Sequence, residues 1–310
     1  MLKIIQQLGG LKAGFNNSLN AISHRVRRPK KGMSSFCGFS STIGSIFLAG
    51  LLLVLMDCRT AQAAPPAGYK LVFDEEFNGP LDVAPWTGWA PGHKWTAHTP
   101  YTGDFGAAYF TGPNENATTP DPFNISNGIL TIKAYQDPMI NNHWRSGLLS
   151  SLATDGSGFS LALGYWECRM MLPSGLGVWP AFWLDGVAGI KKNRTVNSPE
   201  IDILEAFGVD MTVAHHYVHV WTPKTQDLWH VSLATIGINL ANSWHVYGCL
   251  VNTDYIHFYL DGKEVSKTPT PKEATLPLYV MVDLALGGPF PVDLPSPTFM
   301  HVDYVRAYSR

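Results

Sequence analysis

Three carboxylic acids lie within six residues of one another in the run EIDILE, at Glu200, Asp202 and Glu205. The alternation of acids with isoleucines predicts a strand that turns Glu200 and Asp202 to one face and Ile201 and Ile203 to the core. Glu205 is five positions after Glu200, so a regular strand would turn it to the opposite face. One extra residue just before Glu205, a β-bulge, would return it to the face of the other two acids.

Two carboxyl groups that converge to about 5–5.5 Å have the geometry that retaining glycoside hydrolysis requires. Their mutual repulsion raises the pKa of one group and leaves the other ionised, which supplies a proton donor and a nucleophile. The alternative interpretation is an exposed strand face that is acidic without being catalytic.

A second run, VWPAFWL, places two large aromatic residues four positions apart, at Trp179 and Trp183. In an extended segment both rings lie on one face, while Phe182 and Leu184 point to the core. Tryptophan rings are suited to stacking on the apolar faces of sugar rings, so we expect both to bind substrate. A buried aromatic cluster is the alternative.

The elements that must position these residues are predicted to be strands, separated by Gly, Pro, Asn and Asp. The strand-like runs are Tyr69–Phe73, Gly128–Ala134, Gly164–Leu172, Ile201–Leu204, Trp244–Val251, Tyr255–Leu260, Leu278–Leu286 and Met300–Tyr308. Asp261-Gly262 after Tyr255–Leu260 is a strong hairpin signal. Amphipathic helices of the length that a βαβ protein needs are absent from the sequence pattern. One all-β domain over residues 64–310, a sandwich or barrel, is therefore predicted.

Charge is distributed unevenly along the 310 residues. Residues 1–63 contain eight Lys and Arg and one acid, whereas residues 64–310 contain 14 bases and 23 acids. A body this acidic repels phosphates, so a nucleic-acid partner is not expected. Two cysteines, Cys168 and Cys249, follow residue 63, and both lie in apolar strand-like runs. Buried free thiols are the favoured interpretation, with a disulfide as the alternative.

The first 63 residues have the pattern of a signal segment. A basic stretch, Arg25–Lys31, precedes 14 uncharged residues, Ile43–Met56, and Ala61-Gln62-Ala63 follows as a small-x-small cleavage pattern. The apolar run is shorter than the ~20 residues of a membrane-spanning helix. We therefore expect export to the periplasm or medium with cleavage near Ala63 and no stable membrane anchor. Met33 is an alternative translation start.

Several ordered motifs over about 240 residues carry a resemblance to a known family. They are LVFDEEFNG (Leu71–Gly79), Gly164–Leu172, Val178–Leu184, the acid run Glu200–Glu205, FYLDGKEV (Phe258–Val265), Leu284–Gly288 and VDYVRAY (Val302–Tyr308). In these motifs the chain resembles glycoside hydrolase family 16, and within it the bacterial secreted branch of β-1,3 and β-1,3-1,4 glycanases. Asp283 and Glu75 depart from the family, which usually carries Asn and Asp at these positions.

The resemblance implies a concanavalin A-like β-jelly-roll with a concave substrate cleft. It implies that Glu200 is the nucleophile, Glu205 the general acid/base, and Asp202 an assisting residue between them. The expected activity is retaining endo-hydrolysis of β-1,3 or mixed β-1,3-1,4 glucan, including bacterial exopolysaccharide. Trp179 and Trp183 would line sugar subsites, and His219, on a neighbouring strand, is a further candidate for substrate binding.

The resemblance also implies a structural Ca²⁺ ion, because the family often holds one with a C-terminal Asp and backbone carbonyls. Asp303 matches that position, and Glu76 is a second candidate ligand; oxygen ligands suit Ca²⁺. Alternatively, Asp303 pairs with Arg306. No cofactor is expected for catalysis, and the chain is expected to be a monomer.

Two further functions stay open at this point. A transglycosylase would use the same residues but pass the glycosyl group to a sugar instead of water. A lectin would use the same sandwich to bind carbohydrate without cleaving it, since fold does not imply function. A lectin, however, has no use for two carboxylates held at attack distance.

Overall fold

The structure, a computed structural model, describes residues 65–84, 92–113, 119–140 and 144–310, so the predicted signal segment over residues 1–63 lies outside it. The first strands are β1 (Lys70–Glu75), β2 (Val83–Ala84), β3 (Trp95–Thr96), β4 (Tyr109–Phe110), β5 (Phe123–Ser126), β6 (Ile129–Gln136), β7 (Trp144–Ser146), β8 (Leu148–Ser150) and β9 (Gly164–Met171). They are followed by β10 (Val178–Gly186), helix α1 (Val187–Lys191), β11 (Ser198–Glu205), β12 (Val213–Trp221), β13 (Asp227–Ile236) and β14 (Trp244–Val251). The last elements are β15 (Tyr255–Leu260), β16 (Lys263–Pro269), a 3₁₀ turn (Lys272–Thr275), β17 (Leu278–Leu286) and β18 (Thr298–Ser309).

The strands form two sheets, and the predicted all-β sandwich is confirmed. One sheet has the order β16-β15-β14-β9-β18-β6-β7-β4, with β1 beside β18 and β5 beside β6. The other has the order β13-β12-β11-β10-β17-β8-β3-β2 and carries the acid run on β11. Neighbouring strands are antiparallel except for the β2–β3 and β4–β7 pairs. Within the described ranges, no helix has the length and apolar composition that crossing a membrane requires.

The predicted hairpin joins β15 to β16. Leu260 pairs with Lys263, and the two turn residues between them, Asp261 and Gly262, have φ angles of 51° and 76°. Positive φ at both central positions is what a tight turn between right-twisted strands needs, and Asp-Gly tolerates it at low cost. The turn therefore fixes the register of this edge of the first sheet.

The core lies between the two sheets and is built from alternate residues of their strands. Trp166 and Phe258 of one sheet and Phe182 and Ile201 of the other are fully buried there. Burial of each such side chain stabilises the fold by about 1.5–3 kcal/mol. β17 lies near the centre of its sheet between β10 and β8, and all nine of its residues are buried. Residues on its non-core face lie beside those of β10 in the sheet.

The two cysteines of the described chain are free and buried, as the apolar character of their strands predicts. Cys168 lies on β9 opposite Tyr247, and Cys249 lies on the adjacent strand β14 opposite Trp166. Burial raises the pKa of both thiols, so they stay protonated and pack as small apolar side chains.

Candidate active site

The acid run occupies β11, and the β-bulge predicted within it is present. The pairing of β11 with β12 shifts between Asp202 and Glu205, where three steps along β11 correspond to two steps along β12, from Tyr217 to His215. Ile201, Ile203 and Leu204 are buried in the core. The bulge therefore returns Glu205 to the face of Glu200 and Asp202.

Each acid lies between two residues of the neighbouring strands, so the site is three rows across the sheet. On β10 the partners of Glu200, Asp202 and Glu205 are Asp185, Trp183 and Ala181; on β12 they are His219, Tyr217 and His215. Directly paired side chains on one face are about 4.5–5.5 Å apart at Cβ, so the residues within each row are in contact. Two of the predicted substrate-binding residues, Trp183 and His219, therefore flank the acids.

Trp179 contacts the third acid directly. Its indole Nε1 donates a 2.7 Å hydrogen bond to Oε1 of Glu205. The rings of Phe105 and Phe207 pack against the indole with centroid separations of 5.6 and 6.0 Å. Trp179 stays half-buried, so it combines an accessible ring with a polar contact that orients the carboxyl group of Glu205.

Trp183 lies on the same face but is more deeply buried than the sequence predicts. It is 6% exposed, and the ring of Phe105 covers it at a centroid distance of 6.3 Å. Phe105 comes from a loop before β4, far from β10 in sequence. In this structure Trp183 offers less ring surface to a sugar than Trp179 does.

All three acids of the run have raised pKa values. Burial raises the pKa of Glu200 to about 7, although the nearby His219 lowers it. Burial also raises the pKa of Glu205 to about 7, against the lowering effect of the hydrogen bond from Trp179. Asp202 is 6% exposed, and burial together with the charges of Glu200 and Glu205 raises its pKa well above the ordinary range.

This differs from the sequence-based expectation that one pKa is raised while the other stays low. That expectation considered only the repulsion between neighbours, whereas burial is the largest cause for every member of the run. Asp202 lies between the two glutamates, so both of their charges oppose its ionisation in addition to burial.

His219 lies between the acid run and the edge strand β13. Its Nε2 is 3.6 Å from Oδ2 of Asp202, and its Nδ1 is 2.7 Å from Oδ2 of Asp227. Burial lowers the pKa of His219, but the hydrogen bond to Asp227 and the charge of Glu200 outweigh burial, and the pKa is raised. Trp221 stacks on the ring with a centroid distance of 4.9 Å. His219 thus lies in the site as expected.

Asp283 on β17 is a fourth acid in the row of Glu205. Ala181 separates the two, since it pairs with Glu205 on one side and Asp283 on the other. Asp283 is fully buried, and among the described residues neither carboxyl oxygen has a hydrogen-bond partner. Burial and the charge of Glu205 raise the pKa of Asp283 well above the ordinary range, while the nearby indole N–H of Trp183 lowers it. The sequence signal was an acid within the otherwise apolar run LYVMVDLAL.

Asp185 is a fifth acid that the sequence analysis did not identify. It accepts hydrogen bonds from Ser198 Oγ at 2.8 Å and Tyr279 Oη at 3.0 Å, and it is 6% exposed. Its position two residues after Trp183 places it on the same face of β10, a spacing visible in the sequence. Because it lies beside Glu200, its charge contributes to the raised pKa of that residue.

The two residues expected to hold Ca²⁺ belong to the first sheet, with Asp303 in β18 and Glu76 directly after β1. Each of them contacts an arginine. Asp303 Oδ2 accepts a 2.6 Å hydrogen bond from Arg169, not from Arg306, and Glu76 Oε1 accepts one of 2.6 Å from Arg306. Among the described residues, neither belongs to a group of three convergent His, Cys, Asp or Glu ligands. These side chains alone, as arranged, do not fit a Ca²⁺ ion, so calcium binding stays a prediction.

Comparison with known families agrees with this geometry. The model of glycosyl hydrolases family 16 matches residues 115–289, a span that contains the acid run, both tryptophans of β10 and Asp283. The chain belongs to glycosyl hydrolase family 16. Within this family, the arrangement on β10, β11 and β12 is the candidate active site.

Relatives of the family-16 chain include two bacterial proteins. Endo-1,3-1,4-beta-glycanase EglC of Rhizobium meliloti (strain 1021) is 30% identical over 255 residues, which are 76% of this chain and 51% of EglC. The chain thus spans about half the length of EglC. A beta-glucanase of Rhodothermus marinus is 28% identical over 292 residues, 84% of this chain and 93% of that protein.

Solved structures of the family share the fold. The crystal structure of SCLam, a non-specific endo-β-1,3(4)-glucanase, is 24% identical, with a TM-score of 0.61 over 79% of this chain and 93% of SCLam. The predicted jelly-roll architecture is therefore confirmed.

Proposed function

We propose that this protein is an endo-acting hydrolase of β-1,3 or mixed β-1,3-1,4 glucan that retains anomeric configuration. The observation that carries the proposal is the bulge in β11, which places Glu200 and Glu205 on one face with Asp202 between them. A strand without the bulge would bury Glu205 in the core. The name of EglC, and the β-1,3(4)-glucanase activity stated for SCLam, support this substrate class.

In the proposed reaction Glu200 attacks the anomeric carbon while Glu205 protonates the glycosidic oxygen. Glu205 then takes a proton from water, which attacks the glycosyl-enzyme and releases the sugar with retained configuration. The hydrogen bond from Trp179 favours the ionised form of Glu205, so it strengthens as Glu205 gives up its proton. Asp202 makes no bond to the substrate and orients the nucleophile.

The proposal can be tested on laminarin, lichenan and a succinoglycan-type exopolysaccharide. Oligosaccharide products of intermediate length, with the β-anomer formed first in proton NMR, would support retaining endo-hydrolysis. The α-anomer formed first would contradict it. Binding of all three polymers without products would indicate a lectin, and products longer than the substrate would indicate a transglycosylase.

We further propose that the protein is exported, on the strength of the basic stretch, the apolar run and Ala61-Gln62-Ala63. N-terminal sequencing of protein recovered outside the cytoplasm should give a sequence that begins at or near Ala64. A sequence beginning at Met1 or Met33 on the exported protein would contradict the cleavage.

A further inference from the structure

Two histidines and an aspartate converge beside the acid run, on the last two strands of the second sheet. His219 lies on β12, and Asp227 and His230 lie on β13. Oδ2 of Asp227 is 2.7 Å from Nδ1 of His219 and 3.1 Å from Nδ1 of His230. The two Nδ1 atoms are 3.3 Å apart. Three potential ligand atoms therefore point at one another across the strand pair.

The triangle formed by these atoms is close to one face of a metal coordination tetrahedron. Zn²⁺ binds imidazole nitrogen and carboxylate oxygen at about 2.0–2.2 Å, which separates neighbouring ligand atoms by about 3.3–3.6 Å. The 3.3 Å side of the triangle already has this separation, whereas the 3.1 Å side would open by about 0.2–0.5 Å and the 2.7 Å side by about 0.6–0.9 Å.

The surroundings hold these ligand atoms in place. The backbone N–H groups of Val220 and Trp229 each donate to Oδ1 of Asp227 at 3.3 Å, which leaves Oδ2 directed at the histidines. Nε2 of His219 is 3.6 Å from Asp202, so the ring nitrogen remote from the triangle faces a carboxylate. At 3.6 Å this contact is electrostatic and not a hydrogen bond, but it favours the tautomer with the proton on Nε2, which leaves Nδ1 to the ion.

The site is open to solvent on one side. The side chain of His230 is 56% exposed, whereas those of His219 and Asp227 are 12% and 6% exposed. An ion can thus enter from the His230 side without any rearrangement of the fold. Three protein ligands leave a fourth position, which water would complete in a tetrahedral site.

We propose that His219, Asp227 and His230 bind a divalent transition-metal ion of the Zn²⁺ type at the edge of the active site. Two nitrogen donors and one oxygen donor suit zinc, cobalt, nickel or copper; Ca²⁺ and Mg²⁺ prefer oxygen ligands alone. This ion is distinct from the structural calcium expected near Asp303. The proposal does not depend on the hydrolase function, since it concerns binding alone.

The test uses the full chain, purified without a polyhistidine tag and freed of metal with a chelator. Calorimetric titration with Zn²⁺ should show one equivalent bound, and Ca²⁺ or Mg²⁺ at the same concentration should not compete. Titration with Co²⁺ should give the intense visible absorption of a tetrahedral site. His230→Ala should weaken Zn²⁺ binding more than about tenfold, because it removes a ligand, and should abolish the Co²⁺ absorption.

His93→Ala is the matched control, because His93 makes an exposed pair with Asp82 at 2.8 Å and lacks a third ligand among the described residues. It should leave Zn²⁺ binding unchanged. Since His230 is exposed, its variant should fold, and an unchanged near-ultraviolet circular dichroism spectrum would check this. Absence of Zn²⁺ binding by the wild-type chain, or a His230→Ala variant that binds one equivalent with wild-type affinity, would overturn the proposal.

Discussion

The indole Nε1 of Trp179 donates a 2.7 Å hydrogen bond to Oε1 of Glu205, and so links a candidate sugar-binding ring to the proposed general acid/base. The bond favours the ionised carboxyl group and lowers its pKa, while burial raises that pKa to about 7. Trp179 therefore has two roles at once, as an aromatic surface and as a donor that sets the proton affinity of its neighbour.

Replacement of Trp179 by Phe separates these roles, because it keeps an aromatic ring and removes the donor. Loss of the donor should raise the pKa of Glu205 further, so the alkaline limb of the kcat/KM profile should move to higher pH. The rate should fall about tenfold or more, as expected for loss of a hydrogen bond to a charged group. Profiles of kcat/KM against pH for both proteins measure the shift. A lower rate with an unmoved alkaline limb would mean that Trp179 acts by stacking alone.

Asp283 should make stability depend on pH. Its folded-state pKa is raised above the ordinary value of 3.8, so the folded protein retains a proton that the unfolded chain releases. The stability that this proton contributes is therefore greatest below about pH 3.8, and it is lost as pH rises from there toward the folded-state pKa. The Asp283→Asn variant cannot ionise at this position. As pH rises, its free energy of unfolding should therefore increase relative to that of the wild type, by up to about 1.4 kcal/mol per pH unit.

Urea unfolding of both proteins over a pH series measures this difference directly. The other acids of the site titrate in both proteins, so most of their contribution cancels in the comparison. A constant difference between wild type and Asp283→Asn across the series would show that Asp283 is already ionised in the folded state.

The three acids of β11 should respond to substitution in a definite order. Glu200→Gln should abolish turnover while leaving substrate binding largely intact, because it removes the nucleophile and keeps the shape. Asp202→Asn should be milder, since Asp202 makes no bond to the substrate and Asn keeps the shape of the side chain. Initial rates and binding constants for both variants on one β-glucan test the order; an equal loss in both would contradict the role given to Asp202.

Glu205→Ala should be rescued in part by azide. A small anion can reach the anomeric carbon of the glycosyl-enzyme without help from a general base, so azide restores the second step. The comparison needs a substrate with a good leaving group, since that substrate does not need an acid in the first step. Glu200→Ala under the same conditions is the matched control. Absence of a glycosyl azide product from the Glu205→Ala variant would contradict the assignment of Glu205.

Side chains alternate between the two faces of a strand, and this alternation made several features of the site predictable from the sequence. The period of two places Glu200 with Asp202 and Trp179 with Trp183, and the odd spacing of Glu205 requires the bulge that the structure contains. The hairpin at Asp261-Gly262 was predictable for a related reason, the chemistry of its turn residues.

Features that depend on the exact register between strands, or on contacts between segments far apart in sequence, could not be predicted. Asp227 and His230 meet His219 only because β13 pairs with β12 in one register. Phe105 covers Trp183 from a loop, and that loop is far away in sequence. The raised pKa values of all three acids likewise reflect burial, which the alternation of side chains along a strand does not reveal.

The central claim is that Glu200 forms the covalent bond to the sugar. The most direct measurement is mass spectrometry of the protein after reaction with an activated 2-deoxy-2-fluoro-β-glucoside, in which the fluorine slows breakdown of the glycosyl-enzyme. The protein should gain the mass of one fluorosugar, and peptide fragmentation should place it on Glu200. The same gain on Glu205, on Asp202 or on any other residue would contradict the assignment of Glu200, as would a Glu200→Gln variant that is labelled like the wild type.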